Sequence, residues 1–356
     1  IRDLVRSRGL GDVYKRQKGK VDISNLTLKT YISTENMLPN KGGITVASSL
    51  PTVQLTQEYK KGDVLVSNIR PYFKKIWQAK CDGGCSNDVL VFQGNSNIDG
   101  DFLYYILAND DFFAYSMATS KGTKMPRGDK TSIMQYEVPL IDLQVQKKIA
   151  SVLKVLDEKI ELNNEINNNL LEQVLAIYRH RFVDTTNELR QTCRADEYFD
   201  ISIGKTPPRK EPQWFSTNPK DVTWVSISDM GTCGLYISES SEQLTREAVV
   251  RHNVKIVPDN TVLLSFKLTV GRIAITDGEM TTNEAIAHFK TDKKEINEYL
   301  YCYLKCFNYQ TMGSTSSIAT AVNSKIIKGM PFIVPTDEEI TEFHSLVAPM
   351  LSLIHI

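Results

Sequence analysis

The chain has 356 residues with 42 basic and 42 acidic side chains, a formal net charge of zero, so its overall balance gives no support to nucleic-acid binding and any basic surface has to be local. The length suits two domains, and no apolar run approaches a membrane span, so no membrane partner is expected. Six cysteines without dense spacing fit a reducing cytoplasm.

Both ends read as foreign. Residues 7–17, SRGLGDVYKRQ, and the last six, LSLIHI, match translations of a transposase-based sequencing adapter. Residues 1–17 and 351–356 are therefore set aside as one sets aside a fusion tag, and 18–350 is expected to be a natural fragment cut at both ends. The N-terminal segment carries five basic and two acidic residues, which leaves the remainder near −3.

Residues 18–142 read as a first domain of short strands, turns and one helix. Tyr31 to Met37 (YISTENM) predicts a strand leading into a loop, and Gly62 to Ile69 (GDVLVSNI) a strand after a Lys-Lys-Gly turn. Lys74 to Lys80 and Val89 to Phe92 predict a strand pair joined by CDGGCSN. Asp101 to Leu107 (DFLYYIL) has helical spacing, and the polar loop SKGTKMPRGDK precedes YEVPLI, Tyr136 to Ile141.

Residues 143–185 predict one long helix, with no Gly or Pro from Leu143 to Arg181. Leu153, Leu156, Ile160, Asn163, Asn167, Leu170, Val174 and Ile177 recur at alternating spacings of three and four, a heptad seam that wants a partner helix. Asn163 and Asn167 cost stability there but fix register. At about 1.5 Å per residue the helix is ~58 Å long, against about 34–36 Å for one DNA turn.

Residues 186–335 repeat the first domain. YISE at Tyr236 echoes Tyr31, TVLLS at Thr261 echoes Asp63, and NEAIAHF at Asn283 echoes Asn87. EYLYCYL at Glu298 echoes Asp101, and FIVP at Phe332 echoes EVP at Glu137. Five matches in one order indicate an internal duplication. Residues 336–350 then start a second long helix, the expected mate of the first. The fold class is therefore α+β, two similar domains joined by a coiled-coil helix whose partner is cut short, which leaves the seam exposed.

No catalytic constellation stands out. Pro258, Asp259, Ser265 and Lys267 resemble a metal-dependent nuclease pattern, but Ser265 stands where a second carboxylate has to hold the cation. Gly122 to Thr131 misses a phosphate loop by one residue of glycine spacing. Thr206-Pro207-Pro208-Arg209 is not the Asn-Pro-Pro-Tyr of an amino-methyltransferase. Cys81 with Cys85, and Cys302 with Cys306, sit at non-equivalent places in the repeat and lack nearby histidines, so buried thiols are expected rather than a metal site. Neither cofactor nor metal is expected.

Basic and amide side chains do recur at equivalent element ends. They are Asn68, Arg70, Lys74, Lys75, Lys121, Lys124, Arg127 and Lys130 in the first domain, and Lys205, Arg209, Lys210, Lys267, Arg272, Asn323 and Lys325 in the second. Solvated loops carry such residues too, but Arg and Lys suit phosphates and guanine edges, and Asn suits adenine.

The pattern resembles the specificity subunit of type I restriction-modification systems. The carrying residues are Gly204 to Pro207, Trp214, Phe215, Trp224, Val225, Asp229, Met230 and Tyr236 to Ser238, with VPLIDLQVQKKIASVLKVLDEKIELNN, residues 138–164, leading into the long helix. The resemblance implies two target recognition domains held apart by two antiparallel helices, each reading half of a split double-stranded DNA site. It also implies a non-catalytic, cytoplasmic prokaryotic subunit that docks methyltransferase (M) subunits, joined by restriction and translocase (R) subunits. The opening of the first domain, equivalent to Gly204 through Asp229, reads as missing. Two rival readings are the specificity portion of a fused restriction-methyltransferase enzyme and a coiled-coil adaptor without DNA.

Overall fold

The computed structural model describes residues 7–16, 19–139, 141–184, 190–312 and 322–355. The chain divides into two compact units, Ile1–Leu162 and Asn163–Ile356.

The first unit is built around the strand Val64–Ser67, buried along its whole length. Successive side chains point to opposite faces. Val64 and Val66 pack with Phe102, Leu103, Leu107 and Phe112, while Leu65 packs with Ile32, Met37 and Tyr59. A strand buried on both faces reads as an unbroken apolar run, which is why VLVS shows no alternation. Its sheet runs Tyr14–Arg16, Val89–Gly94, Val64–Ser67, Ile76–Gln78, antiparallel throughout.

The predicted pairing of the Lys74–Lys80 and Val89–Phe92 stretches is corrected here: both flank Val64–Ser67 instead of each other. The segment between them is not a simple turn, because Gly83–Cys85 forms a strand in a second sheet. That sheet is ordered Lys20–Asp22, Leu55–Tyr59, Gly83–Cys85, Tyr31–Ile32. A side chain at Gly83 would collide with the Thr30 carbonyl and the Tyr59 ring, so glycine permits this close approach. The helix expected near Asp101 spans Gly100–Ala108 and is capped by Asp99, which accepts from the Phe102 amide at 3.1 Å. A further helix, Asp110–Ala118, follows directly, capped by Asn109.

Residues 7–16, set aside as adapter-derived, form strand Ser7–Gly9, a turn of helix and strand Tyr14–Arg16, paired with Glu137–Pro139 and Val89–Gly94. Strand pairing uses backbone groups that any sequence supplies, and Leu10 adds a fully buried side chain.

The second unit repeats the plan. Strand Val262–Ser265 is buried throughout. Val262 and Leu264 enter one core with Phe289, Tyr299 and Leu300, while Leu263 enters another with Val225, Met230 and Ile286. One sheet runs Asp200–Ile203, Ile286–Lys290, Val262–Ser265, Ile273–Thr276, Tyr236–Ile237; the other runs Phe215–Ser216, Glu242–Leu244, Val222–Val225, Thr281–Thr282.

The registers correct one echo. Tyr236–Ile237 lies parallel to Ile273–Thr276, whereas Tyr31–Ile32 lies parallel to Gly83–Cys85. The counterpart of Tyr31–Ile32 is Trp224–Val225, parallel to Thr281–Thr282. Past these strands the Ser86 amide donates to the Ile32 carbonyl at 2.8 Å and the Asn283 amide to the Val225 carbonyl at 3.0 Å. The next turns match as well: Asn36 accepts from the Ser33 amide at 2.6 Å, and Asp229 from the Ser226 amide at 2.8 Å. YISTENM thus corresponds to WVSISDM, Trp224 to Met230, and the part of the first domain read as missing does not extend that far.

The long helix spans Leu143–Tyr178 and ends in a π turn, Arg179–Val183. In the first unit its seam residues Leu153, Leu156 and Ile160 are exposed, beside Val152, Val155 and Leu162. In the second unit Asn163 is exposed, Asn167, Leu170 and Ile177 are half-buried, and Val174 is fully buried. There the terminal helix Asp337–His355 packs Ile340, Phe343, Val347 and Leu351 into one core with Val174, Tyr178 and Phe182. The ring centroids of Phe182 and Phe343 are 5.3 Å apart, and Arg190 pairs with Glu339 at 2.9 Å. The expected mate therefore covers the C-terminal end of the seam, and Leu153 through Ile160 lie open.

Candidate nucleic-acid interface

In the first unit the turn after the central strand, Asn68 to Lys75, is tied to the later polar loop. The Arg70 amide donates to the Pro126 carbonyl at 2.8 Å, and the Gly128 amide to the Asn68 carbonyl at 3.1 Å. The Asn68 side chain is buried against Gly128, where a Cβ would crowd its Oδ1, so it fills space inside the fold. Lys75 is half-buried and donates to the Thr34 carbonyl at 2.6 Å. Burial, then the nearby Arg70 guanidinium, pushes its pKa down. Lys74 and Lys41 both pair with Asp110 at 2.8 Å, and Asp110 is held down near 2 by those contacts. Lys121 pairs with Asp129 at 2.5 Å and Arg127 with Asp88 at 3.3 Å, while Lys124 is exposed. Beside this surface lies a polar groove of about 420 Å³ lined by Ser33, Thr34, Thr45, Ser86, Glu35 and Asp88.

In the second unit Arg272 is half-buried and donates to the Ile227 carbonyl, with its guanidinium lying against Gly231. Thr34 and Ile227 are equivalent in the corrected register, so Lys75 and Arg272 make the same internal strut. Their recurrence at equivalent places gives each unit the same internal strut. Arg209 stacks on Phe215 at 4.1 Å and Trp224 at 4.7 Å and pairs with Glu242 at 2.8 Å. The Lys205 backbone is pinned between the Thr282 carbonyl, at 2.9 Å, and Trp224 Nε1, at 3.2 Å, which leaves its side chain exposed. Lys210, Lys267 and Lys325 are also exposed. Asn323 caps helix Ser324–Lys328 by accepting from the Ile326 amide at 3.0 Å. Asp129 does the same at the corresponding helix of the first unit.

Of these candidates, Lys124 and Lys130 in one unit and Lys205, Lys210, Lys267 and Lys325 in the other are exposed, Lys130 and Lys325 on short helices and the rest on loops, while the exposed Arg127 is paired with Asp88. Sequence reasoning missed the exposed apolar tips among them, Tyr72, Phe73, Met125 and Leu268. All six cysteines are free thiols, but only one of each expected buried pair is buried: Cys85 and Cys302 are, with burial pushing Cys85 up to about 12 and Cys302 also raised, whereas Cys81 and Cys306 are exposed. Among the described residues no group of three or more His, Cys, Asp or Glu is placed to hold a metal ion. No helix of the described residues is long and apolar enough to cross a membrane.

A family model described as the type I restriction modification DNA specificity domain matches residues 4–172 and again 187–345. The chain belongs to that family. Each match takes in one copy of the repeat, the first running on into the long helix and the second into the terminal helix. Among curated members, the type I restriction enzyme HindI specificity subunit of Haemophilus influenzae is 22% identical over 95% of this chain and 91% of its own. The MjaIX specificity subunit of Methanocaldococcus jannaschii is 23% identical over 94% and 81%. The fold is shared with the crystal structure of the type I restriction-modification S subunit from M. genitalium, at TM-score 0.55 and 14% identity over 99% of this chain and 94% of that one. A specificity-domain chain of this kind is a recognition component rather than a catalytic subunit.

Proposed function

We propose that this chain is the sequence-reading subunit of a type I restriction-modification complex, each unit reading one half of a two-part double-stranded DNA target. The observation that carries the reading is the twofold specificity domain, each copy presenting exposed lysines on loops held rigidly by backbone and side-chain struts. Lys124, Arg127, Lys205, Lys267 and Lys325 supply phosphate contacts that fix register. The hydroxyls and carboxylates of the Ser33–Asp88 groove suit base edges, since Ser and Thr donate and accept and carboxylates accept from cytosine N4. The open stretch of the long helix, Leu153 to Ile160, docks a partner helix, and methyltransferase and restriction subunits assemble around it.

The test is to produce the chain with its neighbouring methyltransferase and map adenine methylation in the host genome. Methylation confined to a split site, with a stable complex on size-exclusion chromatography, is expected. No complex and no site-directed methylation refutes the reading.

A further inference from the structure

The turn after the central strand carries large apolar side chains into solvent in both units. In the first, Tyr72 and Phe73 are 47% and 37% exposed, with ring centroids 4.6 Å apart. In the second, Leu268 is 97% exposed. The two turns are equivalent, because the Ser67 amide donates to the Lys75 carbonyl at 3.0 Å and the Ser265 amide to the Arg272 carbonyl at 2.9 Å.

Neither tip is loosely held. The Asn40 amide donates to the Phe73 carbonyl and the Lys41 amide to the Lys74 carbonyl, at 2.8 and 2.9 Å. Ser265 Oγ donates to the Thr269 carbonyl at 2.6 Å and accepts from the Arg272 amide at 3.0 Å. Arg70, Lys74 and Leu268 all have φ between 50° and 62°, the left-handed region that favours glycine. A leucine there, almost wholly in water, contributes nothing to the core, and backbone strain of this kind clusters at binding sites.

The rim of each tip carries more cations than carboxylates: Lys41 and Lys74, which share Asp110, with Arg127 beside Asp88 near the aromatic pair, and the exposed Lys267 next to Leu268. An uncharged protein partner would gain nothing from that rim, whereas a polyanion with stacked apolar rings inside fits both features. We propose that Leu268 and the Tyr72–Phe73 pair are wedges that enter the base stack of duplex DNA, one at each half-site, while the flanking cations hold the phosphates. Apolar side chains inserted at a base step unstack and kink the duplex. This deepens the DNA-reading function proposed above and rests on it.

The experiment uses the full chain assembled with its methyltransferase and a duplex carrying the mapped site, with 2-aminopurine placed in turn along both halves. Wild type should brighten the probe at one step in each half. Leu268→Ala should abolish the signal in one half only, Tyr72→Ala with Phe73→Ala in the other, each weakening binding about tenfold, the scale of losing one base stack. The salt dependence should stay unchanged, whereas Lys267→Ala should lower the salt slope by about one. Leu268→Met, which keeps an apolar tip, should restore the signal. Wild-type affinity in Leu268→Ala, a reduced slope in that variant, or a probe quenched at every position overturns the wedge while leaving DNA reading intact. Failure of wild type to bind the duplex overturns both. Loss of binding to phosphatidylserine vesicles in Leu268→Ala, with DNA binding unaltered, assigns the tip to a membrane and overturns it too.

Discussion

At the residue scale, the strut formed by Lys75 and Arg272 separates holding a fold from touching a ligand. Each is a cation that donates to a carbonyl in the turn after a parallel strand, Thr34 in one unit and Ile227 in the other. Truncating Arg272 leaves the Ile227 carbonyl short of a donor and opens space beside Gly231, so Arg272→Ala should destabilise by about 1–3 kcal/mol. Arg272→Lys, which reproduces the donor used in the first unit, should recover much of that loss. Thermal unfolding of the free chain reads both. A phosphate-contacting residue behaves oppositely, so an Arg272→Ala variant with unchanged melting and weakened DNA binding refutes the strut.

At the element scale, the long helix is where sequence and structure meet most directly. Its seam was legible because a heptad is a side-chain pattern, and the buried end at Val174 and Tyr178 faces the helix starting at Asp337, as the repeat suggested. The repeat itself was legible through VLVS and VLLS, whose two-sided burial forces an apolar run. The Tyr31 echo went astray because a short strand is placed by backbone pairing. The true counterparts, YISTENM and WVSISDM, share only Ser and Met as letters, together with an Asn or Asp that accepts from the amide of that Ser. The internal bonds of Lys75, Arg272 and Asn323 were not legible for a related reason: composition shows that a cation or amide is present, not whether a carbonyl or a helix end already uses it. The open seam carries a prediction. Val152, Leu156 and Ile160 expose a continuous apolar stripe, so the chain should self-associate with rising concentration in analytical ultracentrifugation. Leu156→Glu with Ile160→Glu should leave it monomeric, and a wild-type chain that stays monomeric shows the stripe to be adequately solvated alone.

At the scale of the whole molecule, each hydrophobic core among the described residues draws its members from a single unit, which predicts two cooperative unfolding transitions instead of one. His288 labels the second. It is fully buried in strand Ile286–Lys290, between Ser202 Oγ at 3.1 Å and Thr282 Oγ1 at 2.6 Å, and burial followed by the nearby Lys290 charge lowers its pKa to about 3. The folded imidazole is thus harder to protonate than the unfolded one, whose ordinary value is about 6.5. Its contribution is fully present above pH 6.5 and is lost as pH falls toward 3, at up to about 1.4 kcal/mol per pH unit. Calorimetry between pH 7 and pH 5 should therefore show one transition moving down steeply and the other holding nearly still. His288→Gln should flatten the moving transition while lowering it at pH 7, because a neutral amide keeps hydrogen-bonding capacity but fills the site less well. A single transition, or two that shift together and keep shifting in the His288→Gln chain, means that the units unfold as one and that the pH response lies elsewhere.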